Sequence, residues 1–118
     1  MLFRSVIDPG FGFGKTSEHN LALVRRLGEL RGLGRPILLG ASRKSTLGVW
    51  LGGAPPEERL EASLAVAVAG VLAGADWVRV HDVKETVRAV RIADAICYNA
   101  GLKEKTKAKT PEPRRARR

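Results

Sequence analysis

Three groups of residues could do chemistry: Asp8, the run Ser42-Arg-Lys-Ser45, and the pair Arg79 and His81. Arg79 and His81 stand two residues apart in an extended stretch, so the pleat puts them on one side. A cation beside an imidazole there suits a phosphate or pyrophosphate, or else forms a satisfied structural pair. Lys44 and Ser45 stand where a strand gives way to a helix. An ammonium and a hydroxyl at such a place can bind a carboxylate or carbonyl oxygen, helped by the helix N-terminus. The alternative is a solvated basic loop. Gly10-Phe-Gly-Phe-Gly14-Lys15 is Gly-rich, but its spacing is not that of a Walker loop. Its backbone N–H groups could meet an anion, and Phe11 and Phe13 could offer a face to a planar ring. A tight turn anchored by two phenylalanines reads as well.

These groups need elements to hold them. The apolar run Phe3–Ile7 reads as a strand stopped by Asp8-Pro9-Gly10. A helix then starts near Ser17 as N-cap, with Leu21, Val24, Leu27 and Leu30 as its apolar stripe, and ends at Gly32 and Gly34. Pro36–Leu39 is a second strand. A short helix is predicted over 46–51, and a long one from Pro55-Pro56-Glu57-Glu58 to about Gly74. Asp76–His81 is a third strand. Asp82-Val-Lys-Glu85 has the form of a capping box for a last helix running to about Ala100. Strand-helix three times predicts a parallel sheet with right-handed crossovers. All three polar groups then fall at the C-terminal ends of strands, the edge where such sheets bind ligands. Units of roughly 35 residues fit a (β/α)-barrel repeat, but three of them cannot close a barrel of eight. The chain is either a small open α/β domain or the last part of something larger.

Composition narrows the class. The 118 residues carry 21 Lys+Arg and 12 Asp+Glu, a net charge of +9. Lys103–Arg118 holds eight of the basic residues and two of the acidic, and no large apolar side chain. Such a tail is expected to be disordered, leaving residues 1–102 as one small domain. The tail could bind nucleic acid only in a salt-sensitive, sequence-blind way, and no specific nucleic-acid partner is expected. The single cysteine, Cys97, excludes a disulfide framework and a multi-Cys metal knuckle and fits a reducing compartment. The longest uncharged stretch, Ala62–Ala75, is 14 residues, short of the ~20 that span a bilayer. Met1-Leu-Phe-Arg4 lacks a signal-peptide layout. A cytoplasmic location without membrane contact is expected.

Ile7-Asp-Pro-Gly-Phe-Gly-Phe-Gly-Lys15, Gly40-Ala-Ser-Arg-Lys-Ser45, Glu58-Arg-Leu-Glu-Ala-Ser-Leu64 and Val78-Arg-Val-His-Asp-Val-Lys-Glu-Thr86 resemble, in order and spacing, the C-terminal part of the dihydropteroate synthase family. The resemblance covers roughly residues 5–98. It implies three βα units, strands six to eight, of a TIM-like (β/α)8 barrel, with the first five units missing. A truncated gene, a late start or a split gene with a complementing N-terminal chain would each give such a sequence. The reaction implied joins 6-hydroxymethyl-7,8-dihydropterin pyrophosphate to p-aminobenzoate. Asp8, as a buried carboxylate, would accept hydrogen bonds from the pterin. Lys44 would contact the pterin near the aminobenzoate. Gly12 and Phe13 would shape the aminobenzoate pocket, and Ser45 would bind its carboxylate. Arg79 and His81 would hold the leaving pyrophosphate with Mg²⁺ nearby, the metal's protein ligand lying in the missing part. Lys44, Arg79 and His81 are thus the catalytic candidates. The resemblance also implies a homodimer through the C-terminal helices, fitting the all-round apolar Ala62–Ala75 stretch. The alternatives are a pterin-binding methyltransferase-type domain and a non-catalytic partner subunit. The isolated chain is expected to be inactive.

Overall fold

A computed structural model describes residues 5–97 and the backbone of residues 115–117. The first strand leaves one parallel bridge, Ile7 to Ile37, in which the Ile7 N–H donates to Pro36 O at 2.8 Å and the Leu38 N–H to Ile7 O at 2.8 Å. Residues 3 and 4 of the expected strand lie outside the described residues. Helix α1 spans Ser17–Arg25. Its cap is Thr16, not Ser17: the Thr16 hydroxyl accepts from the His19 N–H at 3.1 Å, three residues on as capping geometry requires. The stripe continues past Arg25 in a 3₁₀ turn, Leu27–Leu33, closed by Gly34 in the left-handed conformation. Val24 and Leu27 reach the core.

Strand β1 is Leu38–Leu39, and helix α2 is Ser45–Trp50. The long helix predicted from Pro55 is broken. A 3₁₀ turn covers Pro56–Glu58, Arg59 leaves helical geometry at φ −108°, and α3 covers Leu60–Ala73. The break turns the Arg59 guanidinium back onto the Ala54 and Arg43 carbonyls. Strand β2 is Trp77–Arg79 and helix α4 is Val83–Cys97. The expected end of α4 near Ala100 lies outside the described residues.

Strands β1 and β2 pair in parallel, Leu38 opposite Trp77 and Leu39 opposite Val78. The helices cover one face. Ile37, Leu39, Val78 and Val80 turn into it and meet Phe11, Leu27, Val71 and Val90 in one core. Gly70 of α3 lies against Leu39, and a Cβ there would collide with the leucine's Cδ2, so the glycine sets how closely helix and sheet approach. The opposite face carries the exposed Arg79 and His81. Parallel sheets are normally covered on both faces, so this is an α/β array covered on one side.

Within the stretch expected to be disordered, the described backbone is that of Arg115–Arg117. These form β3, parallel to β2, with Trp77, Val78 and Arg79 opposite Arg115, Ala116 and Arg117. The physical reason is the unpaired N–H and C=O row that β2 presents on the side away from β1. The rest of that tail lies outside the described residues.

Candidate anion-binding edge

Because the strands are parallel, the segments after Ile7, Leu39 and Arg79 emerge on one edge of the sheet. Arg79 spans it. Its Nη2 lies 3.5 Å from Asp8 Oδ2, across the intervening chain at Gly40. Gly40 permits the crossing: a Cβ there would stand 3.1 Å from Arg79 Nη2 and 3.3 Å from Nε. Asp8 is not buried as expected. Its side chain is 41% exposed, because it lies on the outermost segment of the sheet. Its other oxygen accepts from the Gly10 N–H at 2.9 Å, which closes the loop in an Asx-type turn.

Three N–H groups of the Gly-rich loop bond internally. The Gly10 N–H goes to Asp8, the Gly12 N–H to Asn20 Oδ1 at 2.8 Å, and the Phe13 N–H to Gly10 O at 3.0 Å. Folding the loop tightly consumes these three donors, so they do not face an anion. The two phenylalanines part company, Phe11 entering the core and Phe13 staying 68% exposed. Lys44 packs its stem on Gly12, where a Cβ would stand 3.0 Å from its Cδ. Its Nζ donates to Phe11 O at 2.7 Å and sits 4.7 Å from the centre of the Phe13 ring. Burial pushes the Lys44 ammonium below the ordinary lysine value; Asp8 opposes this and Arg79 adds to it. Ser45 follows as the exposed first residue of α2.

At His81, the backbone N–H donates to Ser42 Oγ at 3.2 Å, and Nδ1 lies 2.9 Å from the same oxygen. That contact orients the ring through Nδ1 and leaves Nε2 as the nitrogen for a ligand. Asp8, Gly12, Phe13, Lys44, Ser45, Arg79 and His81 thus share one edge, with direct contacts linking Asp8 to Arg79 and Lys44 to Gly12 and Phe13.

Several positioning residues escaped the sequence reading. Arg43 takes φ +56°, a left-handed conformation unusual for a side-chain-bearing residue. Three partners hold it: the Ser63 hydroxyl accepts its N–H at 2.9 Å, Arg59 Nη1 donates to its carbonyl at 2.7 Å, and Asp82 pairs with its guanidinium at 2.8 Å. The Asp82–Arg43 pair raises the arginine's pKa through their hydrogen bond. It also ties the predicted cap of α4 to the loop that presents Lys44. Asn20 is 1% exposed and joins Gly12 to Thr46, whose Oγ1 accepts from Nδ2 at 2.8 Å. Its place four residues before Val24, on the buried stripe of α1, was the available signal, since a buried amide must find partners.

The donor set here is cationic. Among the described residues no group of three His, Cys, Asp or Glu side chains is placed to hold a metal ion, so these residues do not by themselves fit a magnesium site. No described helix is long and apolar enough to cross a membrane.

A parallel βα array with cations and an oriented imidazole at its C-terminal strand edge is an α/β architecture of the kind that binds ligands at that edge. Residues 4–81 match the family described as pterin binding enzyme, and the chain belongs to that family. It is 51% identical over 92 residues to dihydropteroate synthase of Escherichia coli K12, covering 78% of this chain and 32% of that enzyme. Among solved structures, dihydropteroate synthase of Clostridium difficile in the presence of pteroic acid superposes with a TM-score of 0.73 at 54% identity, over 77% of this chain and 34% of that one. The Xanthomonas albilineans synthase in complex with 7,8-dihydropteroate gives 0.76 at 42% identity, over 79% and 36%. The chain spans about a third of the length of these relatives.

Proposed function

We propose that the chain is the C-terminal part of a dihydropteroate synthase, carrying strands six to eight of a TIM-like barrel and about half of the contacts to the substrates. The observation that carries this reading is the reach of Arg79 over Gly40 to Asp8, beside Lys44 on Phe13. Asp8 accepts hydrogen bonds from the pterin and favours the positive charge that develops at its exocyclic carbon. Lys44 lies between pterin and aminobenzoate, Gly12 and Phe13 wall the aminobenzoate pocket, and Ser45 takes its carboxylate. As the C–O bond breaks, negative charge gathers on pyrophosphate, where Arg79 and His81 Nε2 stabilise it. The attacking aromatic amine is neutral near pH 7, so no strong general base is needed. The Mg²⁺ of this reading takes its protein ligands from outside the described residues, and no step here runs through it.

The reading extends to assembly and place. Ala65, Ala69 and Leu72 form an exposed apolar face of α3, which suits a homodimer through the C-terminal helices. The remaining barrel wall would come from a complementing N-terminal chain, and the setting is cytoplasmic. Alone, the chain leaves its substrates half enclosed, so water weakens each electrostatic contact. Losing one charge-stabilising contact costs ~10²–10³ in rate, and several are absent together. Residues 1–118 supplied with the pterin pyrophosphate, p-aminobenzoate and Mg²⁺ should therefore form no dihydropteroate, yet should bind pyrophosphate weakly. Turnover near that of a full-length synthase would overturn the inactivity. Pyrophosphate binding unchanged in Arg79→Met would overturn the site.

A further inference from the structure

We propose that Arg115–Arg117 is a built-in edge strand that blocks β2 from pairing with a second copy of the chain. β2 and its continuation read Trp-Val-Arg-Val, aromatic and β-branched around one arginine and without proline, a sequence other strands pair with readily. One side of β2 is taken by β1 and the other by β3. The Trp77 N–H donates to Ile37 O at 3.0 Å, toward β1. Alternation therefore points the Val78 amide toward β3, between Arg115 and Arg117.

The segment that fills this edge is a poor template for anything further. It is three residues long, arginine flanks Ala116 on both sides, and Pro111 and Pro113 precede it in the sequence. Short, charged strands bordered by proline are the devices by which sheets keep their outer edges from pairing. The tail thus replaces an inviting edge with a repellent one. Without it, two copies present identical open β2 edges, and self-pairing of those edges follows. This role belongs to the chain alone and uses the part of the sequence that the reaction leaves unused; a complementing N-terminal chain would have to displace β3 from the same edge.

The test uses the full chain with Arg117→Pro and Arg117→Ala. In the parallel register the Arg117 N–H faces β2, so proline deletes the donor to the Val78 carbonyl, whereas alanine deletes only the charge. Amide exchange at low micromolar concentration should show Val78 opening about tenfold faster in Arg117→Pro and little changed in Arg117→Ala. Sedimentation at rising concentration should show larger species for Arg117→Pro beyond any present in the parent. Unchanged Val78 exchange in Arg117→Pro would overturn the edge assignment. Faster exchange without new association would overturn the blocking role. Equal behaviour of the two variants would show that charge, not strand pairing, keeps the copies apart, and would also overturn the proposal.

Discussion

Arg59 is the residue through which the loop bearing Lys44 can be tested. Its guanidinium donates through Nε to Ala54 O at 2.8 Å and through Nη1 to Arg43 O at 2.7 Å. It also packs over Gly48, where a Cβ would stand 2.6 Å from Nη2. Hydrogen bonds from an ionised donor contribute roughly 1.5–3 kcal/mol each. Both bonds are only partly buried, and solvent screening reduces their sum to about 2–4 kcal/mol for Arg59→Ala. With a urea dependence of about 2 kcal/mol per molar, the unfolding midpoint should fall by about 1–2 M. Arg59→Lys should recover about half, since an ammonium lacks the planar fork that reaches both carbonyls. Freed from its clamp, Arg43 should leave its left-handed conformation and Lys44 should swing away from Phe11 O. The Lys44 pKa, followed by NMR of its side chain, should then rise toward that of a free lysine. A loss under about 0.5 kcal/mol in Arg59→Ala, with the Lys44 titration unmoved, would refute the clamp.

Lys44 also gives a pH dependence. Its folded pKa is lowered, so between that value and the unfolded one the unfolded chain binds more protons. Stability from this group therefore rises with pH through that window and is lowest below it. Asp8 raises the Lys44 pKa, so Asp8→Asn should lower it further, as a side-chain NMR titration would record. Gly40→Ala should push the Arg79 guanidinium off Asp8 and weaken pyrophosphate binding in calorimetry. Its thermal midpoint should change little, because the displaced atoms end an exposed side chain. Asn20→Leu should cost about 1–3 kcal/mol in urea unfolding, since it leaves the buried Thr46 Oγ1 without its donor and the Gly12 N–H without its acceptor.

The βα order was legible because each strand is a short apolar run bounded by Pro or Gly, and the edge was legible because Asp8, Lys44, Arg79 and His81 follow those runs directly. Burial of Asp8 was misjudged, because burial depends on what flanks the outermost segment and no local pattern records that. Arg59, Ser63 and Asp82 could not be read as the clamp on Arg43. Their partners lie 16, 20 and 39 residues away in sequence and meet only through packing. The break at Arg59 was hidden for the same reason: Pro-Pro-Glu-Glu is a good helix start, and tertiary bonds to two carbonyls redirect it. β3 carries no strand signature, since Arg-Ala-Arg pairs only because β2 offers an open edge.

On the proposed function, the C-terminal edge of this sheet receives a pyrophosphate-bearing ligand. The most direct measurement is a titration of the full chain with pyrophosphate, observed residue by residue by NMR. Saturable shifts are expected at Arg79, His81 and Ser42, with smaller ones at Asp8 and Lys44, and they should be lost in Arg79→Met. Shifts confined to the basic tail, or to Arg43 and Lys84 with Arg79 and His81 silent, would contradict it.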